Sequence, residues 1–415
     1  MHIIIVGAGI VGTATAYELA CDGHEVTVVE QRAAAAEQAS FASAGLLAPS
    51  LLIPWAAPGA DGRLARRMLG SRAALRLVRG AGLAGMAWLW RWRQAGRDAG
   101  AGERLLALAA LGQASLARTR AIAHDLDVDS ESSPGTLMLL RSRAEVQLAQ
   151  PALQALAAAG VPVREVDADT ARLIEPGLAP EAPLAGALHA PEGGAANCRL
   201  FAQLLRQAAQ ERGARFLFNA RVQALATGGP GVHLVGQDAP LAAGAVVLCA
   251  GMASAALLRP LGVRLPLAGM HGYSVTAPLR EESHAPQGAV IDPQHRVTIT
   301  RQGQRVRVSG GAELAEAGGA HDEATLRTLY LALSGWFPGG ALVSSSQVQV
   351  WRGARPTLPD GAPVIGAGPA PGLWLNTGHG ACGWAHACGS ARMLADLLGG
   401  REPGLDTEPF ALARF

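Results

Sequence analysis

Gly7, Gly9 and Gly12, in the run Ile3-Ile-Ile-Val-Gly-Ala-Gly-Ile-Val-Gly12, and the acid at Glu30 have the types and spacing that most directly imply chemistry. A glycine-rich turn between a buried strand and a helix is built to cradle a pyrophosphate. Gly7 permits the tight turn, Gly9 admits the phosphates to the backbone, and Gly12 lets the helix pack on the strand. The amides of Ile10 and Val11 open the helix and present unpaired N–H groups to an anion. Glu30, with Gln31 and Arg32 beside it, stands where a carboxylate receives the hydroxyls of an adenosine ribose. That acid disfavours a 2′-phosphate, which leaves FAD or NAD ahead of NADP.

A second constellation lies near the C-terminal end. Leu373-Trp-Leu-Asn-Thr-Gly-His-Gly-Ala-Cys-Gly-Trp384 reads as a strand entering a glycine turn, with a helix over His386 to Leu398. Gly378, His379, Gly380, Gly383 and Trp384 then form a second place that favours negative charge. Val246-Val-Leu-Cys-Ala-Gly251 is another strand ending in glycine, so Ala250 and Gly251 are expected at the same ligand. An extended FAD uses two helix N-termini, one for the pyrophosphate and one for the flavin edge that becomes negative on reduction. NAD needs only the first, so the pair points to FAD.

These groups require elements to hold them. Ile3 to Val6 and Glu25 to Val29 read as buried parallel strands around a helix from Thr13 to Cys21. The chain from Gly62 to Asp125 is Ala/Leu/Arg-rich and helical, notably over Leu105 to His124, and further helices are expected over Arg143 to Ala159 and Leu200 to Glu211. Strands are expected over Thr136 to Leu140 and Val161 to Val166, with Phe216, Phe218 and Val222 on one strand. Val297 to Ile299 and Arg305 to Val308 form an antiparallel pair joined at Gln302-Gly303-Gln304. The pattern predicts an α/β fold: a Rossmann-type FAD-binding domain, discontinuous in sequence, with an inserted α+β domain on a mostly antiparallel sheet. Residues 1–85, 195–256 and 348–415 fall to the first domain, and 86–194 with 257–347 to the substrate-binding domain.

Composition narrows the class. In 415 residues, 35 basic and 33 acidic side chains nearly cancel to +2, which gives no electrostatic footprint for nucleic acid. The five cysteines form no C-x-x-C pair, no metal cluster is visible, and a reduced, cytoplasmic setting follows. No apolar run is long enough to span a bilayer, and the first strand begins too early to leave room for a signal peptide. Gly85-Met-Ala-Trp-Leu-Trp-Arg-Trp-Arg93 gathers three of the eight tryptophans among arginines. That composition suits either a membrane interface or a helix that packs its indoles inward.

Several stretches together carry a family resemblance: Gly7 to Glu30, Pro54-Trp-Ala-Ala-Pro-Gly59, Gly272-Tyr-Ser274, Gly353-Ala-Arg-Pro-Thr-Leu-Pro-Asp-Gly361 and Leu373 to Gly380. With the closing Ala411-Leu-Ala-Arg-Phe415, the chain resembles the D-amino acid oxidase/glycine oxidase family of flavoenzymes, and within it the bacterial D-amino acid dehydrogenases. The resemblance covers essentially the whole chain. It implies oxidation of the Cα–N bond of a D-amino acid, with hydride passed to flavin, and release of a 2-oxo acid and ammonia. It also implies a quinone as electron acceptor and a peripheral place on the inner face of the bacterial inner membrane. D-proline, D-hydroxyproline or glycine are alternative substrates, and a non-catalytic FAD-binding subunit is the alternative of another class.

The site residues follow from the same resemblance. Arg355 matches the arginine that grips the substrate carboxylate in two-point fashion, against the plain alternative of bracing the Asp360 turn. Tyr273 matches a pocket strand, where its hydroxyl would hold the carboxylate or amine, or would simply sit in the core. Ser40, Ala44, Gly45 and Leu46, with Val222 and Gly353, are implied as further FAD contacts. His379 is expected beside the cofactor without a catalytic role. No cysteine stands at the position used for covalent flavin, so the FAD is expected to be non-covalent.

Overall fold

The computed structural model describes residues 1–48, 76–77, 82–158, 160–314 and 321–415. The Pro54–Gly59 stretch and the helical pattern between Gly62 and Leu75 lie outside the described residues.

The isoleucine run does what its hydrophobicity requires. Ile3, Ile4 and Ile5 are fully buried in the strand His2–Val6, which has partners on both sides and cover on both faces. It pairs in parallel with Glu25–Val29 on one side and Ala245–Leu248 on the other. The six-stranded sheet runs in the order Val364–Ala367, Leu373–Thr377, Ala245–Leu248, His2–Val6, Glu25–Val29, Arg215–Leu217. Only its first-named strand is antiparallel to its neighbour. Helices Ile10–Cys21, Cys198–Glu211 and Gly383–Leu398 pack on one face through Leu19, Phe201 and Leu394. A three-stranded antiparallel sheet covers the other, placing Leu225, Val232 and Leu234 against Ile4, Val6 and Leu248.

The second sheet has nine strands. Its main path is Gln349–Thr357, Ala268–Pro278, Arg305–Leu314, Val297–Gln302, Ala289–Asp292, Ser133–Leu140, Gly186–Ala195, Arg164–Asp167. Helix Glu323–Trp336 lies on one face and buries Leu329, Leu333 and Trp336 against Tyr273, Val275 and Val308. Helix Gly82–Ala95 lies elsewhere on this sheet, with Trp88 packed on Met270, Ala312 and Leu314.

Three sequence expectations shift here. Gln349–Thr357, assigned by sequence to the nucleotide domain, is the edge strand of the second sheet. Helix Ala101–Asp125, assigned to the substrate domain, instead sends Leu108, Leu111 and Ile122 into the core beside the first helix. Phe216 and Val222 belong to different sheets, because Asn219 turns the chain between them with φ of 55°. The first two shifts share a cause: hydrophobic periodicity reports that a face is buried and is silent about which partner buries it.

A charge network locks the helices behind the first sheet. The buried Glu18 carboxylate accepts hydrogen bonds from Arg118 Nε at 2.6 Å and Arg392 Nη1 at 2.9 Å. Arg392 also reaches Asp22 at 2.6 Å and Asp396 at 2.9 Å. The helix of the first glycine turn, the long helix Ala101–Asp125 and the C-terminal helix Gly383–Leu398 are thus tied at one point.

Candidate active site

A cleft of about 1960 Å³ opens between the two sheets, and both glycine turns line it. At the first turn, Gly7 has φ of 103°, and a Cβ there would stand 2.6 Å from the Cys249 carbonyl. A Cβ on Gly12 would collide with the carbonyl of Gly7, so helix and turn touch through backbone alone. Gly9 differs: only Ser40 Oγ, at 3.4 Å, lies near its imaginary Cβ, and that side opens to the cleft. Ser40 Oγ accepts the Ile10 amide at 3.1 Å.

Glu30 closes this end. Its two oxygens accept the amides of Ala8 and Arg32, both at 2.8 Å. A carboxylate offers about four lone-pair positions, so capacity remains for two hydroxyls from the cleft. At the second turn, Gly378 and Gly380 take φ of 85° and 55°, and the helix starts at Gly383, one turn earlier than the sequence implied. Trp384 donates its indole N–H to the Gly45 carbonyl at 3.1 Å and packs on Phe201 at 5.1 Å. His379 is buried within 3.1 Å of Ser390 Oγ, and burial, helped by His386, pushes its imidazole down to about 3. Burial thus favours the neutral imidazole.

Of the residues expected to hold a dinucleotide, all line the cleft except Gly12 and Gly45. Gly12 lies behind the turn that it permits. Gly45, with φ of 82°, holds Trp384 in place from outside the wall. The donor set fits an extended FAD: two helix N-termini facing one cleft, a turn that leaves room at Gly9, and a carboxylate with spare acceptors.

The far end of the cleft is formed by the strands Ala268–Pro278 and Gln349–Thr357. Arg355 lies there, half-buried, with its guanidinium over Gly272, where a Cβ would strike it. It donates to the Gly311 carbonyl at 3.1 Å, and among the described residues no carboxylate pairs with it. Burial lowers its pKa, with the nearby Cys382 thiol acting in the opposite sense. An arginine stays protonated at any ordinary pH, so this is a partly desolvated cation with no anion of its own among the described residues. The Asp360 turn is braced instead by Arg414, whose Nε lies 2.7 Å from Asp360 Oδ2.

Tyr273 corrects the sequence reading. It is the residue after Gly272 in a strand, so it faces away from Arg355. Its hydroxyl donates to Glu313 Oε2 at 2.8 Å and accepts from the Asp322 amide and Arg352 Nε. Its ring is buried under helix Glu323–Trp336 and does not line the cleft. Arg352, three residues from Arg355, faces the same way as Tyr273 and lies 3.7 Å from Glu313. Glu313 is invisible to sequence reasoning because it joins this group only through the pairing of Ala268–Pro278 with Arg305–Leu314.

A model of the FAD dependent oxidoreductase family matches residues 2–397. The chain belongs to the FAD dependent oxidoreductase family. It is 38% identical to a D-amino acid dehydrogenase of Cereibacter sphaeroides, over 100% of this chain and 95% of the relative. A D-amino acid dehydrogenase of Rhizobium johnstonii is 37% identical over the full length of both. In fold it matches the crystal structure of glycine oxidase from Geobacillus kaustophilus, with a TM-score of 0.77 at 22% identity, covering 100% of this chain and 98% of the other.

As a member of the FAD dependent oxidoreductase family, the protein is an FAD enzyme, and the α/β architecture agrees with that fold. Replacing Glu30 by alanine is expected to weaken FAD binding by about 1–3 kcal/mol, the scale of a lost charge-assisted hydrogen bond. Titrating apoprotein with FAD by flavin fluorescence quenching measures it directly. Unchanged affinity would mean that the ribose is held elsewhere.

Proposed function

We propose that the protein oxidises D-amino acids to imines that water converts to 2-oxo acids and ammonia. The observation that carries this reading is Arg355, a protonated guanidinium on the cleft wall with no carboxylate of its own among the described residues. It is supported by the D-amino acid dehydrogenases at 37–38% identity. FAD, when bound, supplies the hydride acceptor. The chain's own part is binding and orientation, which converts an encounter into a held geometry. Gly7 to Gly12, with Ser40 and Glu30, would hold the adenosine and pyrophosphate portion. Gly378 to Trp384 would hold the flavin end near a helix N-terminus, which favours negative charge. Arg355 would grip the substrate carboxylate and so fix the position of the Cα–H. Anaerobic addition of D-alanine, D-proline or glycine, with L-alanine as control, tests the assignment through bleaching of the flavin absorbance. A flavin that no D-amino acid bleaches would refute it.

The electron acceptor on this reading is a membrane quinone, reached from the cytoplasmic face of the inner membrane. Helix Gly82–Ala95 supports it. Trp88 is buried and Trp92 half-buried, so part of the tryptophan cluster is packing. Leu83, Met86 and Trp90 are exposed by 89%, 56% and 63%, and their spacing puts them on one helical face. Arg91 and Arg93 are also exposed. Such a face suits the boundary of an anionic bilayer. Among the described residues no helix is long and apolar enough to cross a membrane. Trp90→Ala is expected to lower flotation with anionic liposomes several-fold while leaving flavin reduction by D-alanine unchanged. Rapid reoxidation by oxygen, with no liposome binding by the wild type, would point to an oxidase instead.

A further inference from the structure

Gly272 and Gly353 are direct cross-strand partners, so two residues without side chains lie next to each other on the sheet face that carries Arg355. Both places are occupied from above. The guanidinium of Arg355 covers Gly272, and the indole of Trp351 covers Gly353. The indole atoms nearest the Gly353 position are Cη2, Cζ2 and Cζ3, the outer edge of the six-membered ring. Trp351 therefore leans along its own strand toward Arg355, and the two planar groups lie as neighbours on the cleft wall. The indole has an aromatic neighbour as well. Phe41 stacks on it with centroids 6.5 Å apart and an interplanar angle of 27°, and the Arg199 guanidinium sits 4.3 Å over the Phe41 ring.

We infer that Trp351 determines substrate specificity: its indole is the wall against which the substrate side chain packs, and it confines the enzyme to small apolar side chains. The inference rests on Arg355 gripping the carboxylate. A carboxylate held by that planar fork puts Cα one bond beyond the carboxylate carbon, on the wall where the indole is the neighbouring group. The side chain must then run along the indole. A ring pinned by Phe41 offers apolar contact to a methyl or a short aliphatic group and leaves little room for a second ring. Pockets of this kind discriminate by roughly 10- to 200-fold per methylene-sized mismatch.

The test compares D-alanine with D-phenylalanine, read as the second-order rate of anaerobic flavin reduction, in wild type, Trp351→Ala and Trp351→Phe holoenzymes. The wild type should favour D-alanine. Trp351→Ala should raise the D-phenylalanine to D-alanine ratio at least about tenfold. Trp351→Phe, which keeps a ring to stack on Phe41, should move it in the same direction by less. FAD content and melting temperature report whether each variant is folded; if the alanine variant is not, the phenylalanine variant decides. A ratio that stays within about twofold of wild type, or an equal loss for both substrates, overturns the inference and leaves the D-amino acid reading intact. A wild type that neither substrate reduces overturns both.

Discussion

Arg355→Ala should retain FAD and lose most of the rate of flavin reduction by D-amino acids. The guanidinium rests on Gly272 and makes no hydrogen bond to either glycine turn among the described residues, although Cys382 of the second turn is near it. Among the described residues it donates only to the Gly311 carbonyl, so its removal breaks no ion pair there. What disappears is the partner for an incoming carboxylate in a partly desolvated place. Losing one member of such a pair costs about 2–5 kcal/mol, or some tens- to thousands-fold in the second-order rate. Arg355→Lys should recover only part of it, because a point charge cannot match a planar fork on a glycine floor. Gly272→Ala should imitate the loss by displacing the guanidinium without removing its charge. Stopped-flow reduction at equal subsaturating substrate is the measurement, and an Arg355→Ala rate equal to wild type would refute the clamp. Arg352 also lines the cleft but is a poorer clamp, because it already faces Glu313 and Tyr273 on the other side of its strand. Tyr273→Phe should accordingly reduce at a near-normal rate and lose about 1–3 kcal/mol of stability, since Glu313 would then lose the hydroxyl that donates to it and keep only the longer contact with Arg352.

Gly12→Val should give a destabilised protein that purifies without flavin, whereas Gly9→Ala should give a stable one that binds flavin weakly. At Gly12 the obstacle is the Gly7 carbonyl, which belongs to the backbone and cannot rotate aside. Helix and turn must separate, at a cost of about 3 kcal/mol, the upper part of the usual range for overpacking. The amides at the helix N-terminus then no longer point where a pyrophosphate would lie. At Gly9 the only neighbour is Ser40 Oγ at 3.4 Å, so the fold tolerates a methyl and the ligand does not. The flavin-to-protein absorbance ratio and the melting temperature of apoprotein separate the two cases. A Gly12→Val apoprotein that melts like wild type would show that the contact is not tight.

The cofactor half of the cleft was legible in the residues because its chemistry is local. Strand, turn, helix, strand and acid follow one another between His2 and Glu30, and each glycine has a steric reason. The substrate half was legible only in part. Arg355 stands out through its resemblance motif, but the face it occupies depends on how three strands from distant segments register. Tyr273 sits one residue from Gly272 and so points to the other side, a difference that residue type does not encode. Period-two alternation does separate Trp351 and Arg355 from Arg352, yet nothing in the alternation says that Arg352 already faces a carboxylate from another strand. The tryptophan cluster divided for the same reason: a helix turns Trp88 inward and Trp90 outward.

The strand that begins at His2 has consequences for how the protein is made. One parallel partner, Glu25–Val29, follows at once, but the other is written only when synthesis reaches Ala245, and that strand in turn waits for Leu373–Thr377. Glu18, in the helix after it, gains its full set of arginines only when Arg392 arrives. The first glycine turn therefore leaves the ribosome early but stays unsupported through most of translation. Pairings so distant in sequence form slowly, because the intervening chain must be ordered before they are rewarded. A chaperone that shields the isoleucine run through that interval would protect the yield of holoenzyme, and cofactor capture belongs to the end of biosynthesis.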